Sequence, residues 1–108
     1  MTVNKLIATC GFTAAALPDP DREVSGVYIG DLLSWVMGRA GADEAWITIM
    51  SNRNIVAVAT LADTACILLA EGVGPDEGVA ELAAQKGVNI LQSPLGAYEI
   101  ALRLRDAL

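Results

Sequence analysis

Four short polar clusters in this chain carry residue types suited to holding a small anion. They are Gly30-Asp31, Ser51-Asn52-Arg53-Asn54, Glu71-Gly72 and Ser93-Pro94. Each follows an apolar run that reads as a strand, and three of the four lead directly into a predicted helix. A helix N-terminus offers unpaired N–H groups and a partial positive charge, and Arg53 adds a full one. The ligand class this suits is a small anionic or nucleotide-like metabolite. The candidate set is Asp31, Ser51, Asn52, Arg53, Asn54, Gly72 and Ser93. Ser, Asn and Asp are also the preferred helix caps in any protein, so plain capping explains the same residues.

Catalytic constellations are harder to assemble. Histidine is absent, which removes Ser–His, Cys–His and His–metal chemistry together. Asp19, Asp21 and Glu23 form an acidic cluster interrupted by Arg22. It lacks the glycine and glutamate positions of a calcium loop and reads as a solvated turn. Cys10 and Cys66 have no metal or redox spacing. Cys66 lies in the most apolar run, where a thiol is a packing group. Cys10 lies near a helix C-terminus, the wrong end to stabilise a thiolate. No phosphate loop, no G-x-G-x-x-G and no G-x-S-x-G is present. Ser25 and Ser34 have no base to partner them. The expectation is a non-enzymatic domain with no cofactor and no metal, and a carboxylate-dependent small-molecule enzyme is the least favoured alternative.

The bulk properties narrow the class further. A chain of 108 residues is the size of one domain. Apolar residues make up 54% and aromatics 5%, so the core must be built from Ala, Val, Ile and Leu. That apolar content exceeds what so small a monomer needs to bury, which predicts a homodimer or a partner enzyme covering the surplus. The contributors expected at such an interface are Ile55–Leu61, whose apolar residues exceed one helical stripe, and Trp35, which falls off its helix's inward face. A net charge of −6 argues against nucleic acid or an anionic membrane surface as partner. Asp63 and Glu71 interrupt the longest apolar run, so no transmembrane span is expected. With no basic and apolar leader at the N-terminus, a cytoplasmic, reduced setting is expected.

The elements that must position these residues follow from periodicity. Val3, Leu6, Ile7 and Cys10 recur at helical spacing and Gly11 stops the helix. Leu17–Asp21, with two prolines, is a loop. Val24–Ile29 is a strand, and Asp31 is the expected N-cap of a helix with Leu32, Leu33, Val36 and Met37 inward. Trp46–Met50 is a strand. Ile55–Leu61 is ambiguous by composition. It is assigned as helix because it separates two strands that need a crossover. Thr64–Ala70 is an apolar run expected of a strand buried on both faces. Asp76–Lys86 is a helix closed by Gly87, and Val88–Gln92 a short strand. Ser93-Pro94 is the expected N-cap and N1 of a last helix with Leu95, Tyr98, Ala101 and Leu102 inward. The alternation gives the fold class: α/β, a single layered domain with a mostly parallel sheet of four or five strands and flanking helices.

Laid out in this way, the chain resembles the DRTGG domain family. The signature stretch reads Asp21-Arg22-Glu23-Val24-Ser25-Gly26, in which the Asp-Arg start and a later Gly match. Gly26–Ser34, Trp46–Ile49 and Asn54–Ala59 add to the likeness. The resemblance implies an α/β fold found in phosphotransacetylase regulatory regions and beside CBS domains in some nucleotide-regulated pyrophosphatases. It is more distantly similar to the N-terminal domains of HPr kinase/phosphorylase and the Mur ligases. In those proteins the domain is accessory, regulatory or dimerising. Without a phosphate loop, this chain does not inherit a kinase activity from the resemblance.

Overall fold

A computed structural model describes all of residues 1–108. Along the chain lie α1 (Val3–Cys10), β1 (Thr13–Ala16), β2 (Gly26–Ile29), α2 (Leu33–Arg39), β3 (Glu44–Thr48), α3 (Asn54–Ala62), β4 (Cys66–Leu69), α4 (Val79–Lys86), β5 (Ile90–Gln92) and α5 (Ala97–Ala107). The five strands form one sheet in the order β1-β5-β4-β3-β2. β2 to β5 are parallel and β1 alone runs antiparallel, against β5. The expected fold class is the observed one. No helix is long and apolar enough to cross a membrane.

Side-chain alternation in the strands divides the core into two layers. Ala45, Ile47, Cys66, Leu68 and Leu91 point to one face, where Val3 and Leu6 of α1 and Ile100 and Leu104 of α5 cover them. Trp46, Ile67, Leu69 and Ile90 point to the other, under Val36 of α2, Ile55 and Ala59 of α3, and Val79 and Ala83 of α4. Three crossover helices share a face because the strand order β2-β3-β4-β5 advances in one direction without reversal, so successive right-handed crossovers stack on the same side. Central β4 is fully buried from Cys66 to Leu69. Truncating Leu68 there to alanine would cost about 2–5 kcal/mol.

The ambiguous segment is a helix, and Ile55, Val56, Val58, Ala59 and Ala62 are all buried in it. Gly11 and Gly87 close α1 and α4 at φ 76° and 74°, in the left-handed region where glycine carries no steric cost. Other details differ from the sequence reading. β1 was not anticipated: Thr-Ala-Ala-Ala has little β-propensity and is a strand because it completes the edge beside β5. The inward stripe of α2 is narrower than expected. Val36 is fully buried, whereas Leu32 and Met37 are 58% and 45% exposed. On α5, Ile100 and Leu104 are the buried positions, and Tyr98 is 72% exposed. α5 also starts at Ala97, later than a Ser93 cap would place it. Trp46 is wholly buried and its Nε1–H donates to the Gly30 carbonyl at 2.9 Å. Trp35 does lie off the inward face, 53% exposed, with the Arg39 guanidinium 3.7 Å from its ring centroid.

Candidate functional site

Because β2 to β5 are parallel, the four polar clusters line one edge of the sheet, beyond the strand carboxyl ends. Asp31 does not cap α2, whose N-cap is Leu32 with no side-chain bond. Its carboxylate turns across the edge and accepts from the Thr48 hydroxyl at 2.8 Å and the Ile49 N–H at 3.0 Å. The correction has a geometric cause. α2 begins two residues after Asp31, while the end of β3 presents a buried hydroxyl and a free N–H directly beside it.

The Ser51–Asn54 cluster shapes the start of α3. Asn52 Oδ1 accepts from the Asn54 N–H at 2.9 Å, an Asx turn that brings the chain into the helix. Ser51 donates from Oγ to Asp76 Oδ1 at 2.8 Å, and its carbonyl accepts from the Asp76 N–H at 2.9 Å. The β3–α3 and β4–α4 loops are thereby joined. Arg53 is exposed and its guanidinium has no hydrogen bond or ion pair within the chain. It stands at the mouth of a groove of about 480 Å³ between α3 and α4, which Asn54 also lines.

Gly72 and Ser93 come together farther along the edge. The Gly72 N–H donates to the Ser93 carbonyl at 3.0 Å, and the Ser93 N–H to the Leu69 carbonyl at 3.0 Å. Ser93 is not the cap of α5: its Oγ accepts from the Leu95 N–H at 3.1 Å, and Gly96 is the N-cap. Both residues line a shallow cleft of about 210 Å³ with Thr13, Gln92 and Pro94. The start of α5 already has an anion of its own. Glu71, held at φ 61°, sets a carboxylate oxygen 3.6 Å from where a Cβ on Gly96 would lie. The seven candidate residues therefore fall into three groups along the edge: Asp31 with Thr48, Ser51 to Asn54, and Gly72 with Ser93. Of the seven, Arg53 and the Asn54 side chain are the groups left without an internal hydrogen bond.

The opposite edge of the sheet holds a cluster that sequence reasoning missed. Arg22 Nε donates to Asp43 Oδ1 at 2.8 Å. Its Nη2 donates to the Asp63 carbonyl at 2.8 Å and to Asp63 Oδ1 at 3.0 Å. Asp43 and Asp63 are two of the three non-glycine residues at positive φ, at 67° and 59°. They stand immediately before β3 and shortly before β4. Burial pulls the Arg22 pKa down, and its hydrogen bonds to the two carboxylates more than restore it, so the guanidinium stays a cation. Nearby, the buried Asn89 satisfies its whole amide. Its NH₂ donates to the carbonyls of Asp19 and Ala65 at 2.8 and 3.0 Å, and its Oδ1 accepts from the Asp19 N–H at 3.0 Å. The Asp19–Glu23 turn is thus fastened to the sheet by its arginine and its backbone. The carboxylates of Asp19, Asp21 and Glu23 gather around no common centre, and no group of three Cys, Asp or Glu side chains is placed to hold a metal.

This fastened turn is where the family signature lies. Residues 19–107 match the DRTGG domain. The chain belongs to the DRTGG domain family. Within this DRTGG domain the Asp21-Arg22 pair marks the amino edge of the sheet, and Arg22 serves there as a clamp between the lead-ins to β3 and β4. No curated protein matches the chain. Among solved structures, it is similar to the CBS and DRTGG domains of the regulatory region of Clostridium perfringens pyrophosphatase, crystallised with the activator diadenosine tetraphosphate. The TM-score is 0.76 at 12% identity, over 99% of this chain and 47% of that one. This DRTGG domain thus spans about half the length of that regulatory region.

Proposed function

We propose that this chain is a cytoplasmic regulatory module that acts by self-association or by docking on a partner enzyme, and that it senses a small anionic metabolite at the carboxyl edge of its sheet. Family membership supports the regulatory half of this reading. So does the fold shared with a regulatory region whose activator is a nucleotide.

The observation that carries the association is an apolar corner beside an open strand. Ile29, Leu32, Trp35 and Ile49 are 51%, 58%, 53% and 48% exposed. Ile29 and Leu32 flank Gly30-Asp31 in the chain, the Asp31 carboxylate binds the Ile49 N–H, and Trp35 follows in the first turn of α2, so the four are distributed around the end of β2. β2, which ends at Ile29, pairs with β3 alone. The Gly30 N–H bonds to Ile47, so the alternation of a parallel ladder turns the backbone groups of Val27 and Ile29 outward. Half-exposed side chains of this size present roughly 400 Å² of apolar surface between them. A standard interface contributes about 800 Å² per partner, a little over half of it apolar, and these residues could supply much of that share for a partner that wraps the end of β2. Two-fold pairing is the commonest way to cover such a surface.

Light scattering of the chain and of Trp35→Asp at micromolar concentration tests this. The expected result is twice the 11.3 kDa chain mass for the wild type and a monomer for the variant. A monomeric wild type at all concentrations would reject self-association and leave docking on another protein.

A second reading, an interaction domain without any ligand, is favoured by the internal hydrogen bonds that occupy most of the seven edge residues. Thermal shift with phosphorylated metabolites and nucleotides separates the two, since a ligand at a hundredfold over its Kd stabilises by about 2.7 kcal/mol.

A further inference from the structure

We propose that the groove between α3 and α4 is a binding site for a soluble amphipathic anion: an alkyl or aryl body ending in a phosphate or carboxylate. This rests on the ligand-sensing reading above: the anion is held at Arg53 on the carboxyl edge, and the site continues from there along the helical face.

The groove, of about 480 Å³, has the volume of a small-molecule site. Its apolar lining is Val56, Ala57 and Leu61 on α3 and Leu82 on α4, with the Thr60 hydroxyl among them donating to the Val56 carbonyl at 2.9 Å. Leu61 is 72% exposed, the most exposed large aliphatic side chain of the chain. Ala57, small and outward, leaves space where a larger residue would bring the helices' side chains together. Both charged residues that line the groove, Arg53 and Lys86, are cations, and neither has an ion-pair partner. In a chain of net charge −6, a trough with two cations and no acid is a local inversion of sign. Arg53 and Leu82 also line an adjoining cavity of about 280 Å³, together with Glu77 and Glu81. These two acids discourage an anion there and leave the groove side to it.

The two cations are not equivalent. α3 and α4 both follow parallel strands and both return antiparallel to them, so they run side by side in one direction. Arg53 sits at the amino end of α3, where the helix's partial positive charge reinforces the guanidinium and the Asn54 side chain is free. Lys86 sits in the last turn of α4, where its charge is partly offset by the helix's negative end. The nine residues of α3 span about 13 Å. The anionic head therefore belongs at Arg53 and the apolar body along Ala57 and Leu82 toward Leu61. A bare phosphate would leave the trough unfilled, and a neutral alcohol would leave Arg53 unpaired.

The test is an amide-shift titration of the ¹⁵N-labelled full chain with n-octyl phosphate below its micelle concentration, beside inorganic phosphate and n-octanol. Saturable shifts are expected over residues 53–61 and 82–86, with each control at least tenfold weaker. Arg53→Gln should raise the Kd at least fivefold, Arg53→Lys should restore part of the loss, and Lys86→Gln should change it less than threefold. Ala57→Trp, which fills the trough, should abolish binding while the remaining amide spectrum stays folded. Equal affinity for inorganic phosphate, shifts centred on Trp35, or indifference to Arg53→Gln would each overturn the groove. Shifts confined to Gly72 and Ser93 would also overturn it while sparing the ligand-sensing reading. Absence of saturable binding to any of the three probes would overturn the amphiphile site, and the metabolite thermal-shift screen then decides ligand sensing separately. Co-sedimentation with anionic vesicles is expected to be absent, and its presence would assign the groove to a membrane surface.

Discussion

Arg22 and Asp63 are joined twice, through the carbonyl at 2.8 Å and through the carboxylate at 3.0 Å. The carbonyl also accepts the Asp43 N–H at 2.9 Å. One guanidinium therefore bridges the lead-ins of two adjacent parallel strands, at residues whose left-handed backbone a side chain seldom adopts unaided. The Asp21-Arg22 pair lies at the far edge of the sheet from the candidate ligand groups, and there Arg22 ties the two lead-ins together.

Arg22→Ala is expected to lower stability by about 1–2 kcal/mol, the range for hydrogen bonds to charged groups reduced for partners that water screens. Asp43 and Asp63 are 49% and 67% exposed. Arg22→Lys should recover little, because an ammonium cannot reproduce the planar fork that serves both partners. Urea unfolding with an unchanged m-value gives the measurement. A midpoint equal to wild type in both variants would show that the clamp is decorative.

Glu71 allows a different test. Its carboxylate lies over the first turn of α5, where a negative charge is stabilising by about 0.3–1 kcal/mol at low salt. Its backbone is held at φ 61°, which costs a non-glycine residue about 1–2 kcal/mol. Glu71→Gln loses the first contribution and keeps the second, so it should be less stable than wild type at low salt and nearly equal to it in 1 M salt. Glu71→Gly loses the charge and relieves the backbone, so it should exceed Glu71→Gln in both conditions. In thermal melts, Glu71→Gln equal to wild type at low salt would mean that the carboxylate makes no use of the helix end, and Glu71→Gly below Glu71→Gln would mean that the left-handed backbone costs nothing there.

Much of the fold was legible because its signals are local. α1 and α4 end at glycines, β4 is an unbroken apolar run, and the helical assignment of Ile55–Leu61 followed from the need for a crossover. β1 was not legible, since Thr-Ala-Ala-Ala becomes a strand only through β5, more than seventy residues away. The two mistaken caps share one cause. Asp31 and Ser93 do terminate their strands, but each connection to the helix is longer than its capping chemistry suggests, and the polar side chains turn to nearer backbone and hydroxyl partners. The candidate edge was legible as an edge and not as a pocket, because an unreversed strand order opens no crevice between neighbouring strands. Arg22 was invisible as a clamp because its partners are 21 and 41 residues distant.

Cys66 carries the clearest pH dependence. Burial pushes its thiol from 9.0 up to about 12, with the Arg22 charge pulling weakly the other way. In the unfolded chain the thiol ionises near its ordinary value of 9.0. The folded pKa is the higher one, so between about pH 9 and pH 12 the unfolded state has already released a proton that the folded state retains. The unfolded state then binds fewer protons, and stability falls as pH rises. The contribution is whole below pH 9 and declines through the alkaline window by at most about 1.4 kcal/mol per pH unit. Cys10, raised by burial and lowered by Arg103, adds in the same sense. Cys66→Ala should be less stable at neutral pH, because a fully buried side chain is trimmed, and its stability should decline less steeply between pH 9 and 10.5. The same burial predicts that a thiol reagent labels native Cys66 only through unfolding, at a rate that rises with urea. Parallel alkaline slopes for wild type and Cys66→Ala, or rapid labelling of Cys66 in the native chain, would contradict a thiol sealed in the core layer between the sheet and α1 and α5.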